Sequence, residues 1–390
     1  MSKPRLAKRL LDLPPYPFED IDRKKAAARA AGVDVIDLGI GDPDLPTPEH
    51  IQDALAESLR RPPNHRYPSY RGSLELRASA ARYMERRFGQ RLDPAKEVVA
   101  LIGTKEGIAH LALAILDPGD AVLVPTPAYP VYASSARFLG AEVHEMPLLR
   151  EHGFLPRLGD IPSEVARRAR LIWVNYPNNP LGAVAPRSFY EELAAFAAEY
   201  DLVVASDAAY AEIWLEGEPP MSALEIPRLR ERVIEFHSLS KTFNMTGWRV
   251  GFAAGRDWIV GALGTVKTNV DSGVFGAVQE AAIAALDGPW GPVEELREVY
   301  RKRRSVLVGG LRDAGFEAVE MPATFYVVVA VPKGHSAVSY ATVLLEKTGV
   351  VCTPATAFGP GGEGYVRFSL TAPDERIAQA AERIRGLGKG

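Results

Sequence analysis

Residues 238–252 read SLSKTFNMTGWRVGF. Lys241 follows two serines, Ser238 and Ser240, and Arg249 lies eight residues further on. A lysine taken alone is ordinarily a solvated surface charge. This one sits in a small, polar, glycine-containing stretch directly behind the apolar run RVIEFHS (232–238). Serine hydroxyls and a guanidinium fork can together hold a dianionic phosphate. A lysine kept near that phosphate and near other cations can lose its proton and attack a carbonyl. Such a stretch calls for a sheet whose strand ends deliver several polar groups to one edge.

The sequence on either side supplies that sheet. EVVALIG (97–103), DAVLVP (120–125), ARLIWVN (169–175), DLVVASD (201–207), RVIEFHS (232–238) and RVGFAAG (249–255) are short, rich in Val and Ile, and end in Gly, Pro, Asn, Asp or Ser. GIAHLALAIL (107–116), PVYASSARFLG (130–140) and RSFYEELAAFAAEY (187–200) have helical spacing between them. Strand and helix in alternation predict an α/β fold, with a mostly parallel mixed sheet flanked by helices. In such sheets ligands sit at the carboxyl ends of the strands. Asn175, Asp207 and Ser238 each end a strand run, and GTKEG (103–107) opens a helix whose N–H groups can meet an anion. Strand alternation turns His237 away from Ser238, so it is expected to be structural.

The last hundred residues differ. VEELREVYRKRRSVLVGGLRDAG (293–315) is a long amphipathic helix, followed by the short runs FYVVVA and YVRFSL. They predict a second, smaller α+β domain. The expected division is a large domain over 46–290 and a small one over 291–390. Residues 1–45 form an arm that packs with the small domain, and the proline-dense GIGDPDLPTP (39–48) is the hinge.

Composition bounds the rest. The chain has 390 residues, 47% of them hydrophobic, which exceeds what one core usually holds. The net charge of −3 suggests neither a nucleic-acid nor a membrane partner, and no run approaches the ~20 apolar residues of a membrane span. A single cysteine, Cys352, rules out an internal disulfide framework and fits a reducing cytoplasm.

A phosphate, a carbonyl and a nucleophilic lysine together describe pyridoxal 5′-phosphate, whose ring nitrogen also needs an acidic partner. Asp207 is placed to supply it. SLSKTFNMTGWRVGF resembles the cofactor-lysine signature of the class I/II aminotransferases, which have the fold-type I pyridoxal-phosphate architecture. NYPNNPLG (175–182), SDAAYAEI (206–213), RYPSYRG (66–72) and YVRFSL (365–370) match further segments of that family, in the family's order and along essentially the whole chain.

The resemblance implies roles. Lys241 would carry the cofactor and move a proton between substrate and cofactor carbon atoms. Asp207 would keep the ring nitrogen protonated, while Asn179 and Tyr210 would bond its phenolate oxygen. Tyr129 would stack on the ring. Thr104, Lys105, Ser238, Ser240 and Arg249 would surround the phosphate, helped by Tyr67 from a second subunit of a homodimer. Arg367 would clamp the substrate α-carboxylate, assisted by the backbone at Gly41.

Within the family, LPPYPFEDIDRKK (13–25), NHRYPSYRG (64–72) and IEFHSLSKTFNMTGWRVGFA (234–253) most resemble the LL-diaminopimelate aminotransferases. That likeness implies a ping-pong transaminase acting on amino acids and 2-oxo acids, with Tyr16 and Lys105 meeting the far end of the substrate. Many aspartate-specific members place a second arginine near 271–277. DSGVFGA holds none there, which weakens the aspartate alternative. A broad-specificity amino-acid aminotransferase and β- or γ-elimination of an amino acid are further alternatives, since one cofactor runs all of these reactions, and a ligand-sensing regulator is a third, from a different class.

Overall fold

The computed structural model describes residues 5–11, 19–319 and 321–389. Thirteen strands occur among them: β1 Ile36–Asp37, β2 Val98–Leu101, β3 Ala121–Thr126, β4 Glu142–Pro147, β5 Ala169–Asn175, β6 Val203–Asp207, β7 Val233–Ser238, β8 Gly251–Gly255, β9 Ala318–Val319, β10 Tyr326–Ala330, β11 Val350–Val351, β12 Thr353–Pro354 and β13 Tyr365–Ser369.

Seven of them form one sheet in the order β2-β8-β7-β6-β5-β3-β4. Strands β4, β3, β5, β6 and β7 run parallel, and β8 is antiparallel to both of its neighbours. From Leu171 to Val174 the β5 run is apolar and buried at every position because both faces are covered. Leu171 and Trp173 pack on one side with the helices Thr104–Ile115, Val131–Phe138 and Asp257–Val270. Ile172 and Val174 pack on the other with Leu74–Phe88, Arg187–Glu199 and Gly276–Asp287. Edge strand β4 escapes a hydrophobicity search because it carries Glu142, His144 and Glu145 and is half exposed, as suits an edge that must not pair further.

A four-stranded antiparallel sheet, β12-β13-β10-β9, lies against the helices Gly291–Asp313 and Asp374–Arg385. The arm joins this layer. Ile36 pairs with Val350 in β11, and the Ser369 N–H donates to the Leu38 carbonyl at 2.6 Å. Residues 39–48 then cross to the large sheet without forming an element of their own.

Two local expectations are corrected. The helix expected from 107 starts at Thr104, with Gly103 as its N-cap, so Thr104 and Lys105 lie in its first turn. The strand expected from 249 starts at Gly251, and Arg249 lies in the preceding turn with a left-handed φ of 55°.

Candidate active site

The parallel register sets Asn175 beside Asp207 at the carboxyl ends of β5 and β6. The Asn175 amide donates to the Asp207 carbonyl at 2.8 Å, and its oxygen accepts the Asn179 N–H at 2.9 Å. The turn after β5 is thereby tied to the end of β6. The Asp207 carboxylate accepts the Tyr132 hydroxyl at 2.6 Å and the Ala209 N–H at 3.1 Å. Burial pushes its pKa up, and those two donors pull it partly back. A cationic N–H beside it would hold it ionised.

Lys241 lies on the short helix Leu239–Thr242, directly after β7. Its ammonium donates to the Gly41 carbonyl at 3.1 Å. Burial brings its pKa down from 10.5 to about 8; Arg367 and Arg249 push the same way and Asp42 opposes them. A lysine so placed is deprotonated often enough near neutral pH to act as nucleophile and base.

An anion cradle forms on the same edge. The helix Thr104–Ile115 starts without a side-chain cap, so its first N–H groups are not covered by its own N-cap. Ser238 and Gly251 face each other across β7 and β8, and Ser238 and Ser240 are both buried. Gly103 has φ +73°, and a Cβ there would stand 2.2 Å from Arg249 Nη2. Glycine is what lets the guanidinium lie against this turn. Lys105 points along the same mouth, its ammonium 6.0 Å from the Tyr129 ring centre.

The small sheet supplies the last member. Arg367, opposite Val328 in β10 and Thr353 in β12, is 3% exposed. Its Nη1 donates to Asn179 Oδ1 at 2.9 Å and its Nη2 to the Gly39 carbonyl at 2.7 Å. The guanidinium carbon lies 4.0 Å from the Tyr326 ring centre and 4.6 Å from that of Phe358. Its Nε has no hydrogen-bond partner among the described residues. A buried, aromatic-flanked guanidinium with an unmet donor is suited to a carboxylate. Tyr326 also bonds the Tyr210 hydroxyl at 2.8 Å, and burial keeps Tyr210 protonated by raising its pKa well above the ordinary value.

Thirteen of the residues singled out in the sequence, namely Gly41, Thr104, Lys105, Tyr129, Asn175, Asn179, Asp207, Tyr210, Ser238, Ser240, Lys241, Arg249 and Arg367, line one cavity of about 450 Å³. Tyr67 does not line it and is 88% exposed. Tyr16 lies outside the described residues. His237 turns away, bonding Glu235 at 2.9 Å and stacking on Phe252. Sequence reasoning missed Tyr132 and Tyr326. Tyr132 could have been found one helical turn after Tyr129, whereas Tyr326 has no local signal. Asp22, Lys25, Asp37 and Asp42, which also line the cavity, were missed as well.

The chain belongs to the aminotransferase class I and II family, whose model matches residues 33–384. It is 54% identical over 384 residues to the LL-diaminopimelate aminotransferase of Desulforudis audaxviator and 52% identical over 381 residues to that of Syntrophobacter fumaroxidans, covering 98% of each chain in both cases. Substrate-bound BacF from Bacillus subtilis superposes with a TM-score of 0.94 at 35% identity, covering 99% of this chain and 98% of that one. The cofactor of this family is pyridoxal 5′-phosphate, and its substrates are small amino and oxo acids. The residues present fit the cofactor. The cradle at Gly103 and Arg249 suits its phosphate, Asp207 its ring nitrogen, and Lys241 its aldehyde. No helix of the described residues is long and apolar enough to cross a membrane.

Proposed function

We propose that this chain is an LL-diaminopimelate:2-oxoglutarate aminotransferase, working by a ping-pong cycle as a cytoplasmic homodimer. The observation that carries the substrate is identity above one half, along nearly the whole chain, to two enzymes of that name. The absence of arginine from 271–277 agrees with it, since an aspartate side chain would seek a second cation there.

When bound, pyridoxal phosphate supplies an electron sink and a carrier for the amino group. Thr104, Ser238, Ser240 and Arg249 bind its phosphate, with Lys105 beside them. Asp207, held by Tyr132, keeps a proton on the ring nitrogen. Asn179 and Tyr210 donate to the ring oxygen, and Tyr129 covers the ring face. Arg367 turns the substrate's α-carboxylate so that its α-hydrogen faces Lys241. The lysine Nζ, near its own pKa at neutral pH, would take that proton and return it to the cofactor's C4′, across the nitrogen that joins the two carbons. Exposed Tyr67 is read as a phosphate ligand for the second subunit, and Tyr16 as a contact for the far end of the substrate. The large domain is assigned to 46–290 and the small one to 291–390, with 1–45 as the N-terminal arm and part of the small domain.

The test is a half-reaction followed by absorbance. The pyridoxal form of the enzyme is mixed separately with LL-diaminopimelate, L-glutamate and L-aspartate. Conversion to the pyridoxamine form by the first two, with aspartate slow, supports the proposal. Fast conversion by aspartate with diaminopimelate inert overturns the substrate and leaves an aspartate aminotransferase that uses Lys105 in place of the missing arginine.

A further inference from the structure

Three parts of the site meet on one side chain, Tyr326. It is the first residue of β10, opposite Ser369 in β13, and it is buried. Its hydroxyl lies 2.8 Å from that of Tyr210. Its ring centre lies 4.0 Å from the Arg367 guanidinium carbon. A Cβ on Gly41, whose carbonyl accepts the Lys241 ammonium, would stand 2.0 Å from the Tyr326 hydroxyl oxygen. Glycine at 41 is what lets that hydroxyl reach Tyr210.

Two hydroxyls in one bond can share it in either direction. The rest of the site removes that freedom. A neutral phenol has one proton, and burial keeps Tyr210 neutral. Once Tyr210 gives that proton to the ring oxygen of the cofactor, none is left for Tyr326. The 2.8 Å bond then has one possible donor, Tyr326. Arg367 does not compete for the Tyr326 proton, since a guanidinium has donors only. The guanidinium also draws electron density from the ring beside it, which makes the hydroxyl a stronger donor. A hydroxyl that accepts one hydrogen bond in turn donates a stronger one.

We infer that Tyr326 is a positioning residue for the cofactor: its hydroxyl donates to Tyr210, fixes the direction in which Tyr210 gives its own proton, and strengthens the bond from Tyr210 to the ring oxygen. The inference rests on the contact between Tyr210 and that oxygen proposed above. It makes Tyr326 tune the link between Lys241 and the cofactor. A stronger bond to the ring oxygen lets that oxygen hold its negative charge, which disfavours a proton on the link.

The test follows the visible absorbance of the cofactor-loaded enzyme against pH, with no substrate present. The midpoint reports the proton on the link. Tyr326→Phe keeps the ring beside Arg367 and removes only the hydroxyl. Its midpoint should rise by about half a pH unit, within the worth of one hydrogen bond between neutral groups. Tyr210→Phe should raise the midpoint further. The double variant should match Tyr210→Phe alone, because Tyr326 acts through Tyr210. A Tyr326→Phe midpoint equal to that of the wild type, beside a raised one in Tyr210→Phe, would overturn the inference. Shifts that add in the double variant would overturn it too, since Tyr326 would then act by another route. An unmoved midpoint in both single variants would remove Tyr210 from the ring oxygen, and the inference with it.

Discussion

Arg367 Nη1 donates to Asn179 Oδ1 at 2.9 Å, although the arginine belongs to strand β13 of the small sheet and the asparagine to the turn after β5 of the large one. The guanidinium thus spans the junction of two separately built layers. Its remaining donors hold Gly39 and leave Nε for a ligand. Lysine carries the same charge but not the planar fork. Arg367→Lys should lower kcat/KM for every amino donor by about a hundredfold, close to 3 kcal/mol of transition-state binding. A loss under about fivefold in steady-state assays would mean that a point charge suffices there.

Tyr132 acts through Asp207. Its hydroxyl favours the ionised carboxylate, which burial alone disfavours. Tyr132→Phe removes a bond to a charged group, worth about 1.5–3 kcal/mol. The expected result is about a tenfold or greater loss in kcat, with weaker cofactor retention on dialysis. Values within twofold of the wild type in both measurements would show that Asp207 holds its charge without the tyrosine.

Lys241 makes a pH prediction for the cofactor-free chain. Its proton leaves near pH 8 when folded and near 10.5 when unfolded. Between those values the unfolded state binds more protons, so this group's cost is present below pH 8 and is relieved as pH rises toward 10.5. The same shift sets reactivity. Adduct formation with an uncharged aromatic aldehyde, corrected with Lys241→Ala, should be half-maximal near pH 8. A midpoint near 10.5 would contradict the buried setting.

Gly103 tests the anion cradle. Alanine there is strained by the left-handed φ and would drive its Cβ into Arg249. Gly103→Ala should weaken cofactor affinity about tenfold or more, read by fluorescence titration of the cofactor-free chain. An unchanged dissociation constant would remove Arg249 from the phosphate's ligands.

Tyr67 tests the shared site. Mixed dimers of Lys241→Ala and Tyr67→Phe subunits would regain one site of wild-type cofactor affinity if each tyrosine serves its neighbour. No regained site would place Tyr67 outside the cofactor's reach.

The residues with local signatures were legible without coordinates. Asn175, Asp207 and Ser238 end apolar runs, and a parallel sheet has only one edge at which such ends can meet. Lys241 and Arg249 were legible from the company of serines and glycine. Backbone detail was not. Arg249 read as the first residue of a strand, but it occupies a left-handed turn that sets its guanidinium against Gly103.

By itself the sequence determined the alternation of strand and helix, because apolar periodicity is a local property of the chain. It also determined which polar residues stand at strand ends. Only the tertiary structure decided which of them meet. Tyr132 reaches Asp207 across 75 positions and Arg367 reaches Gly39 across 328. Lys241 acquires its lowered pKa from burial among groups drawn from both layers. Such contacts follow from how two sheets pack, and no stretch of sequence around any one of these residues encodes its partner.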